Sequence, residues 1–110
     1  MNLASRFVFN IITRRTLLTY CRLYPATAVA LQQWYAELLN HDFVNFNQLK
    51  AIYPAASLVG DDRVVFNIMG NKYRLVVRFS FAYKAVQLKW FGTHAEYDQV
   101  DVTNVQFRAL

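Results

Sequence analysis

The chain has 110 residues, of which 55% are hydrophobic and 17% charged, so it can bury the core of one small domain and is not a disordered chain. Its formal net charge of +5 favours an anionic partner such as nucleic acid, an anionic membrane surface or an acidic protein. The single cysteine, Cys21, excludes an intrachain disulfide and a cysteine-based zinc site, and no apolar run approaches the roughly 20 residues of a membrane span.

The start of the chain predicts one strand and one helix. Residues 1–9 carry no clear pattern and are interpreted as an N-terminal extension, or a misassigned start, of a single domain that spans residues 1–110. The run Phe9–Thr13 is short and β-prone, which predicts an edge strand. Thr13 would then cap a helix over residues 14–23, whose apolar stripe is formed by Leu17, Leu18 and Cys21.

The clearest helix in the sequence covers Ala26–Leu39. Its apolar residues recur at three- and four-residue spacing, which is the pattern of a helix that faces a core: Val29, Ala30, Trp34 and Leu38. A helical turn is predicted over Gln48–Tyr53. The segment Ala55–Asp62 is interpreted as a loop whose turn lies at residues 60–62.

Three β-prone runs follow, and two short breaks separate them. The runs Arg63–Ile68, Lys72–Phe81 and Lys84–Phe91 are rich in Val, Ile, Phe, Tyr and Leu. This pattern predicts three antiparallel strands joined by two tight hairpins.

Alternation along these strands predicts one apolar and one basic face. In the second strand the odd-numbered positions from Tyr73 to Phe81 are apolar, and the other side carries Lys72, Arg74 and Arg78. In the third strand the core side is expected to hold Val86, Leu88 and Trp90, with Ala85, Gln87, Lys89 and Phe91 opposite. Arg74, Arg78 and Lys89 would then share a face, and no acidic residue lies between Asp62 and Glu96.

A short helix is predicted directly after the third strand. Thr93 is a suitable N-cap, and Glu96 three residues later completes the spacing of a capping box. His94 and Tyr97 would then lie on one side of the first turn. The predicted fold class is α+β, in the order β-α-α-β-β-β with a short C-terminal helix, and two N-terminal helices pack on one face of a small, mainly antiparallel sheet.

A basic face beside a histidine and a tyrosine suits the cleavage of RNA without a metal ion or other cofactor. The reaction needs a proton taken from the 2′-hydroxyl, a proton given to the leaving 5′-oxygen, and cations around the phosphorane. An imidazole such as that of His94 moves protons near neutral pH. Arg74 and Arg78 can hold phosphate oxygens in a fork, and Lys72 and Lys89 add point charge.

Each residue also has a purely structural interpretation. His94 could bond the backbone at the helix start, Tyr97 could be a core aromatic, and the arginines and lysines could form a solvated sheet face. Three functions therefore stay open: an RNA endonuclease, a non-catalytic module that binds RNA or an acidic partner, and a basic structural domain.

The sequence resembles the HigB family of bacterial toxins, in the RelE-like superfamily of ribosome-dependent mRNA endonucleases. The resemblance covers about residues 10–101 and lies in IITRR (11–15), LKAIYP (49–54), RVVFNI (63–68), GNKYRLVV (70–77) and GTHAEYD (92–98). It implies a RelE-like fold and a cytoplasmic toxin that cuts mRNA in the ribosomal A site and halts translation. It also implies a helix-turn-helix antitoxin of the HigA type, and no membrane partner.

The matched blocks contain four residues with an expected catalytic role: Lys72, Arg74, His94 and Tyr97. Arg78 and Lys89 are predicted to bind RNA from strand alternation, and Arg63 is predicted to bind RNA as a further cation of the same basic stretch. No metal ligand is predicted.

Overall fold

The computed structural model describes residues 10–11 and 14–106, with the side chains of 14–106. Within these residues the frame is a five-stranded sheet in the order β1-β5-β4-β3-β2, in which β1 runs parallel to β5 and the other neighbours are antiparallel. The strands are β1 (Asn10–Ile11), β2 (Ser57–Val59), β3 (Arg63–Ile68), β4 (Tyr73–Ser80) and β5 (Ala85–Thr93).

Helices cover one face of this sheet, called here the inner face. They are α1 (Arg14–Leu23), α2 (Ala28–Leu39) and α3 (Phe46–Ile52), and a 3-10 turn at Pro25–Thr27 joins the first two. A fourth helix, α4 (His94–Tyr97), follows β5 directly. The predicted α+β fold class is confirmed, with the N-terminal helices packed on one face of a mainly antiparallel sheet.

The main core lies between the helices and the inner face. Alternate residues of β4 enter it, as predicted, and α2 contributes Leu31, Trp34 and Leu38 at helical spacing. The predicted stripe also includes Val29, which is wrong, because its side chain is 71% exposed. Val29 precedes Leu31 by two residues and is therefore about 200° around the helix from it.

A β-bulge in β5 changes which side chains face the core. Val76 of β4 pairs with Trp90, whereas the next residue of β4 pairs with Leu88, so Lys89 is an extra residue between the two partners. Beyond the bulge the alternation is inverted, and Phe91 enters the main core while Trp90 lies on the opposite, outer face. The prediction that Trp90 faces the main core and Phe91 the other side is wrong for this reason.

The C-terminal segment covers the middle of the outer face, the face that the sequence predicts to be basic. A second apolar cluster forms there from Val65, Val76 and Trp90. Side chains from β2, α4 and the segment after it pack on this cluster: Val59, Tyr97, Val100, Val102 and Val105. The sequence assigns no role to the segment after residue 100, and the structure shows that it completes a second, smaller core.

Two short elements differ from their predictions. β2 lies inside the segment interpreted as a loop, although the turn that follows it is confirmed, since Asp61 and Asp62 adopt positive φ angles of 63° and 58°. α3 begins at Phe46, two residues before the predicted start. The Asn45 side chain caps it by accepting a 3.0 Å hydrogen bond from the backbone N–H of Gln48.

Some predictions concern residues that the structure does not describe. Residues 1–9, Thr13 and its capping role lie outside the described part of the chain. In the part that is described, no helix combines the length and apolar character needed to cross a membrane.

Candidate active site

Three rows of paired residues cross the outer face. The first row contains Asn67, Arg74 and Gly92, and the second is the apolar row Val65, Val76 and Trp90. The third row contains Arg63, Arg78 and Gln87. The predicted functional residues therefore separate into two groups, on either side of an apolar row that the C-terminal segment covers.

The first group, called here the His94 end, comprises Lys72, Arg74, His94 and Tyr97. Strand pairing brings it together, because the turn that carries Lys72 leads into β4 while α4 leaves the neighbouring strand β5. The backbone N–H of His94 donates a hydrogen bond of 2.9 Å to the backbone carbonyl of Lys72. This bond fixes the start of α4 against the lysine turn.

The predicted capping box at the start of α4 is confirmed. The Thr93 hydroxyl accepts a hydrogen bond from the N–H of Glu96 at 3.1 Å, and Glu96 Oε1 accepts from the N–H of Thr93 at 2.7 Å. The backbone bond from Thr93 lowers the pKa of Glu96. Glu96 Oε1 also accepts from the Tyr24 hydroxyl at 3.1 Å, which ties α4 to the end of α1.

His94 has an acidic partner within its own turn. Its Nδ1 lies 3.4 Å from Oδ2 of Asp98, and the two side chains are 43% and 57% exposed. An imidazole held at Nδ1 by a carboxylate presents Nε2 to a substrate. The prediction from sequence missed Asp98, whose only signal there is its position four residues after His94.

Arg74 is held over the turn that precedes β4. Its Nη1 donates to the carbonyls of Asn71 and Tyr73, both at 3.2 Å, and its Nη2 donates to Oδ1 of Asn71 at 2.6 Å. The neighbouring position in its row is Gly92, where a Cβ would lie 2.5 Å from the Trp90 ring and 2.9 Å from Glu96 Oε1. Glycine thus allows Trp90 and the capping glutamate to approach the strand beside Arg74.

Tyr97 is only partly available for chemistry. Its ring packs on the second apolar cluster, with its centroid 6.2 Å from that of Trp90 and an interplanar angle of 49°. The structural interpretation of Tyr97 as a packing residue therefore holds for its ring. The half-buried side chain still belongs to the turn that carries His94.

The second group, at the far end of the outer face, is compensated by Asp61. Arg63 is 5% exposed and donates to the carbonyls of Val102 at 3.2 Å and Val105 at 2.6 Å. The Asp61 carboxylate lies 3.4 Å from Nε of Arg63 and 3.5 Å from Nη2 of Arg78. Arg63 therefore anchors the C-terminal segment, and its guanidinium is not open to a phosphate.

The charges of the two groups differ. Among residues 14–106, Lys72 and Arg74 form no ion pair, and neither does Lys89, which lies in the bulge between the groups. Within residues 14–106, Lys72 and Arg74 therefore have no carboxylate in direct contact, whereas Arg63 and Arg78 share one.

The other histidine, His41, packs at the end of α2. Its Nδ1 lies 2.7 Å from the carbonyl oxygen of Glu37 in the last turn of α2, and its ring stacks on Phe43. Within the described residues, no group of three or more His, Cys, Asp and Glu side chains could hold a metal ion.

Comparison with known proteins gives one family. The family model HigB_toxin, described as a RelE-like toxic component of a toxin-antitoxin system, matches residues 27–100. The match runs from the start of α2 through α4 and includes both groups of the outer face. The chain matches no individual curated protein.

Proposed function

Since the chain belongs to the HigB family of RelE-like toxins, we propose that it is a ribosome-dependent endonuclease that cuts translated mRNA. Membership of the family makes the chain the toxin of a toxin–antitoxin system, with an antitoxin as its partner. The finer proposals are cleavage in the ribosomal A site, action in the cytoplasm and an antitoxin of the helix-turn-helix HigA type.

The His94 end carries this proposal. It combines a half-exposed imidazole with Lys72 and Arg74, two cations that have no ion pair among residues 14–106. Strand pairing and the bond between His94 and Lys72 hold these groups at one corner of the sheet. Such a corner supports proton transfer next to a phosphate whose charge is rising.

The proposed reaction is an internal transfer within the RNA. The 2′-oxygen forms a bond to the neighbouring phosphorus, and the bond from phosphorus to the 5′-oxygen breaks. One proton leaves the 2′-hydroxyl and another reaches the 5′-oxygen. His94 Nε2 and the Tyr97 hydroxyl are the proposed proton-transfer groups, and Asp98 holds the imidazole.

Cations would stabilise the extra negative charge and hold the RNA. Arg74 and Lys72 are proposed to contact the reacting phosphate, and Lys89 a neighbouring one, because these three have no carboxylate in direct contact within residues 14–106. Arg78 contributes less, since Asp61 already pairs with it. Arg63 is left out of the proposed interface, because its guanidinium is buried under the C-terminal segment.

The test is induced expression in a bacterial host with mapping of mRNA 5′ ends, comparing the wild type with His94→Ala and with His41→Ala. The wild type and His41→Ala should arrest growth and create new 5′ ends inside translated messages. His94→Ala should do neither, because general acid–base catalysis contributes about 100-fold or more to the rate.

Two results would count against the proposal. Growth arrest without new 5′ ends would favour a non-catalytic module that binds the ribosome or RNA. New ends that persist in His94→Ala would remove His94 from the reaction and leave the nuclease without its central group.

A further inference from the structure

A pocket of about 480 Å³ lies at the far end of the outer face, away from the His94 end. Its walls come from β4, β5, the turn before β3 and the β4–β5 hairpin, and they include Asp62, Arg78, Ser80, Tyr83 and Gln87. The volume falls within the range of roughly 300–1,000 Å³ typical of small-molecule sites. The nuclease reaction proposed above does not use this pocket.

The charges around the pocket do not suit a phosphate. The guanidinium in the pocket wall belongs to Arg78. Its Nη2 lies 3.5 Å from the Asp61 carboxylate, and its Nε donates a 3.1 Å hydrogen bond to the Asp61 backbone carbonyl. A second carboxylate, Asp62, lines the wall. Asp61 and Asp62 together balance Arg78 and the buried Arg63, so the pocket has no excess positive charge, which favours a neutral, polar ligand over an anion.

The remaining walls suit a flat ring with hydrogen-bonding edges. Tyr83 is 85% exposed, so its ring offers a free surface for stacking. Gln87 supplies an amide donor and acceptor, and Ser80 a hydroxyl. Ala85 adds a small apolar surface. A stacking platform beside an amide, a guanidinium and a carboxylate is the set of groups that recognises a nucleobase.

The hairpin that carries Tyr83 is anchored. The next residue, Lys84, donates hydrogen bonds to the carboxylate of Asp42 and to the carbonyl of Phe43, which follow α2. These bonds tie the hairpin to the helical layer. The backbone that carries the Tyr83 ring is therefore held before a ligand arrives, which lowers the entropic cost of binding there.

The position of the pocket links it to the proposed nuclease site. Arg78 lies on the same strand and the same face as Arg74, four residues further on, so the two ends are roughly 13 Å apart. Lys89 lies between them on β5 and has no ion pair within residues 14–106. Because the C-terminal segment covers the middle of the outer face, a single strand of RNA whose phosphate lies at Arg74 would have to follow β5 past Lys89 to reach the pocket a few nucleotides away.

We propose that this pocket binds one unpaired base of the same mRNA, stacked on Tyr83 and read by Gln87 and Asp62, and so sets a base preference near the cut. This inference rests on the proposed nuclease activity. It adds a specificity-determining site at a distance from the residues that move protons.

The test uses purified toxin and ribosomes programmed with an mRNA pool in which the nucleotides flanking one codon are randomised. Sequencing of the 5′ ends gives the base preference at each position as a ratio within one reaction, independent of the overall rate. Tyr83→Ala and Gln87→Ala should lower this ratio about fivefold or more at a single flanking position. Tyr83→Phe keeps the stacking ring and should retain the preference, and Val29→Ala on α2 is the surface control.

Three results would overturn the inference in different ways. Cleavage with an unchanged preference in both alanine variants would remove the pocket from base recognition. If the alanine variants keep the base preference but the antitoxin no longer blocks their cleavage of mRNA, the pocket binds a protein partner instead. No cleavage by the wild type would overturn the nuclease and this inference with it.

Discussion

The two ends of the outer face use the same residue type on the same strand for different purposes. At one end Arg74 has no carboxylate partner among the described residues and lies beside His94; at the other, Arg78 and Arg63 share Asp61. Side chains on one sheet face need not form one electrostatic surface, because a single acid in a neighbouring turn can pair with the cations at one end and not with those at the other. The substitutions below test this difference, beginning with the largest expected effect.

Matched arginine substitutions should separate the two ends most clearly. Arg74→Ala should lower the single-turnover cleavage rate on programmed ribosomes about 100-fold, the cost of losing one preorganised donor to a phosphorane. Arg78→Ala should lower it less than about fivefold, because Arg78 already pairs with Asp61 and lies roughly 13 Å along β4 from the proposed position of the reacting phosphate. Equal losses would mean that both ends contact the reacting phosphate.

Arg63 should affect stability more than any other cation of the outer face. Arg63→Met leaves the carbonyls of Val102 and Val105 without their donor, and we expect a loss of about 2–3 kcal/mol in the free energy of unfolding. Urea denaturation followed by circular dichroism measures it. Arg78→Met is the matched control and should change stability by less than about 1 kcal/mol. Similar values for the two variants would contradict the anchoring role of Arg63.

Two tyrosine hydroxyls distinguish positioning of the His94 end from general stability. Tyr24 donates to Glu96 at 3.1 Å, and Tyr53 donates to Glu37 at 3.3 Å, far from α4. Tyr24→Phe and Tyr53→Phe should each cost about 1 kcal/mol of folding free energy. Only Tyr24→Phe should also lower the cleavage rate, by between about threefold and tenfold, because α4 loses a tie to α1.

The pH dependence of stability gives a check on the same hydroxyls. Burial raises the pKa of both Tyr24 and Tyr53 above 10.0, so each contributes stability that is complete below pH 10.0 and is lost as the pH rises through the folded-state pKa. The wild type should therefore lose stability above about pH 10, and each Phe variant should lose less. Unchanged alkaline profiles would show that neither hydroxyl is linked to folding.

The smallest expected effect comes from making the far end resemble the His94 end. Asp61→Asn keeps a residue that tolerates the positive φ of 63° but removes the charge shared by the two arginines. Because Arg63 stays buried, only Arg78 gains a free charge. The slope of log Kd for single-stranded RNA against log salt should steepen by about 0.7, the value for one added phosphate contact. An unchanged slope would mean that RNA does not reach this end.

Local patterns predicted the three antiparallel strands β3, β4 and β5 well, although they missed β2. The bounds of β3 and α1 agree with the sequence interpretation, and the capping box of α4 was read from Thr93 and Glu96 alone. These features depend on residues within a few positions of one another, so their physical cause is visible in a single stretch. The position of His94 beside Lys72 follows from pairing two adjacent hairpin strands.

Features that depend on distant residues could not be predicted in the same way. The bulge at Lys89 is a shift in the pairing of β5 with β4, so it depends on both strands. The sequence of β5 alone looks the same as that of a strand with continued alternation. Val102 and Val105 are isolated apolar residues in sequence. Their role in the second cluster depends on Arg63, which holds their backbone carbonyls from 39 and 42 residues away along the chain. Asp61 lies just before the basic stretch, so its compensation of two arginines depends on the hairpin turn.

The bulge also gives the protein an internal optical reporter. It places Trp90 on the outer face beside Tyr97, while Trp34 stays in the main core. A Trp34→Phe variant would leave one indole, whose emission would report on the second cluster alone. Binding events at the outer face and detachment of the C-terminal segment could then be followed by fluorescence, without attaching a dye.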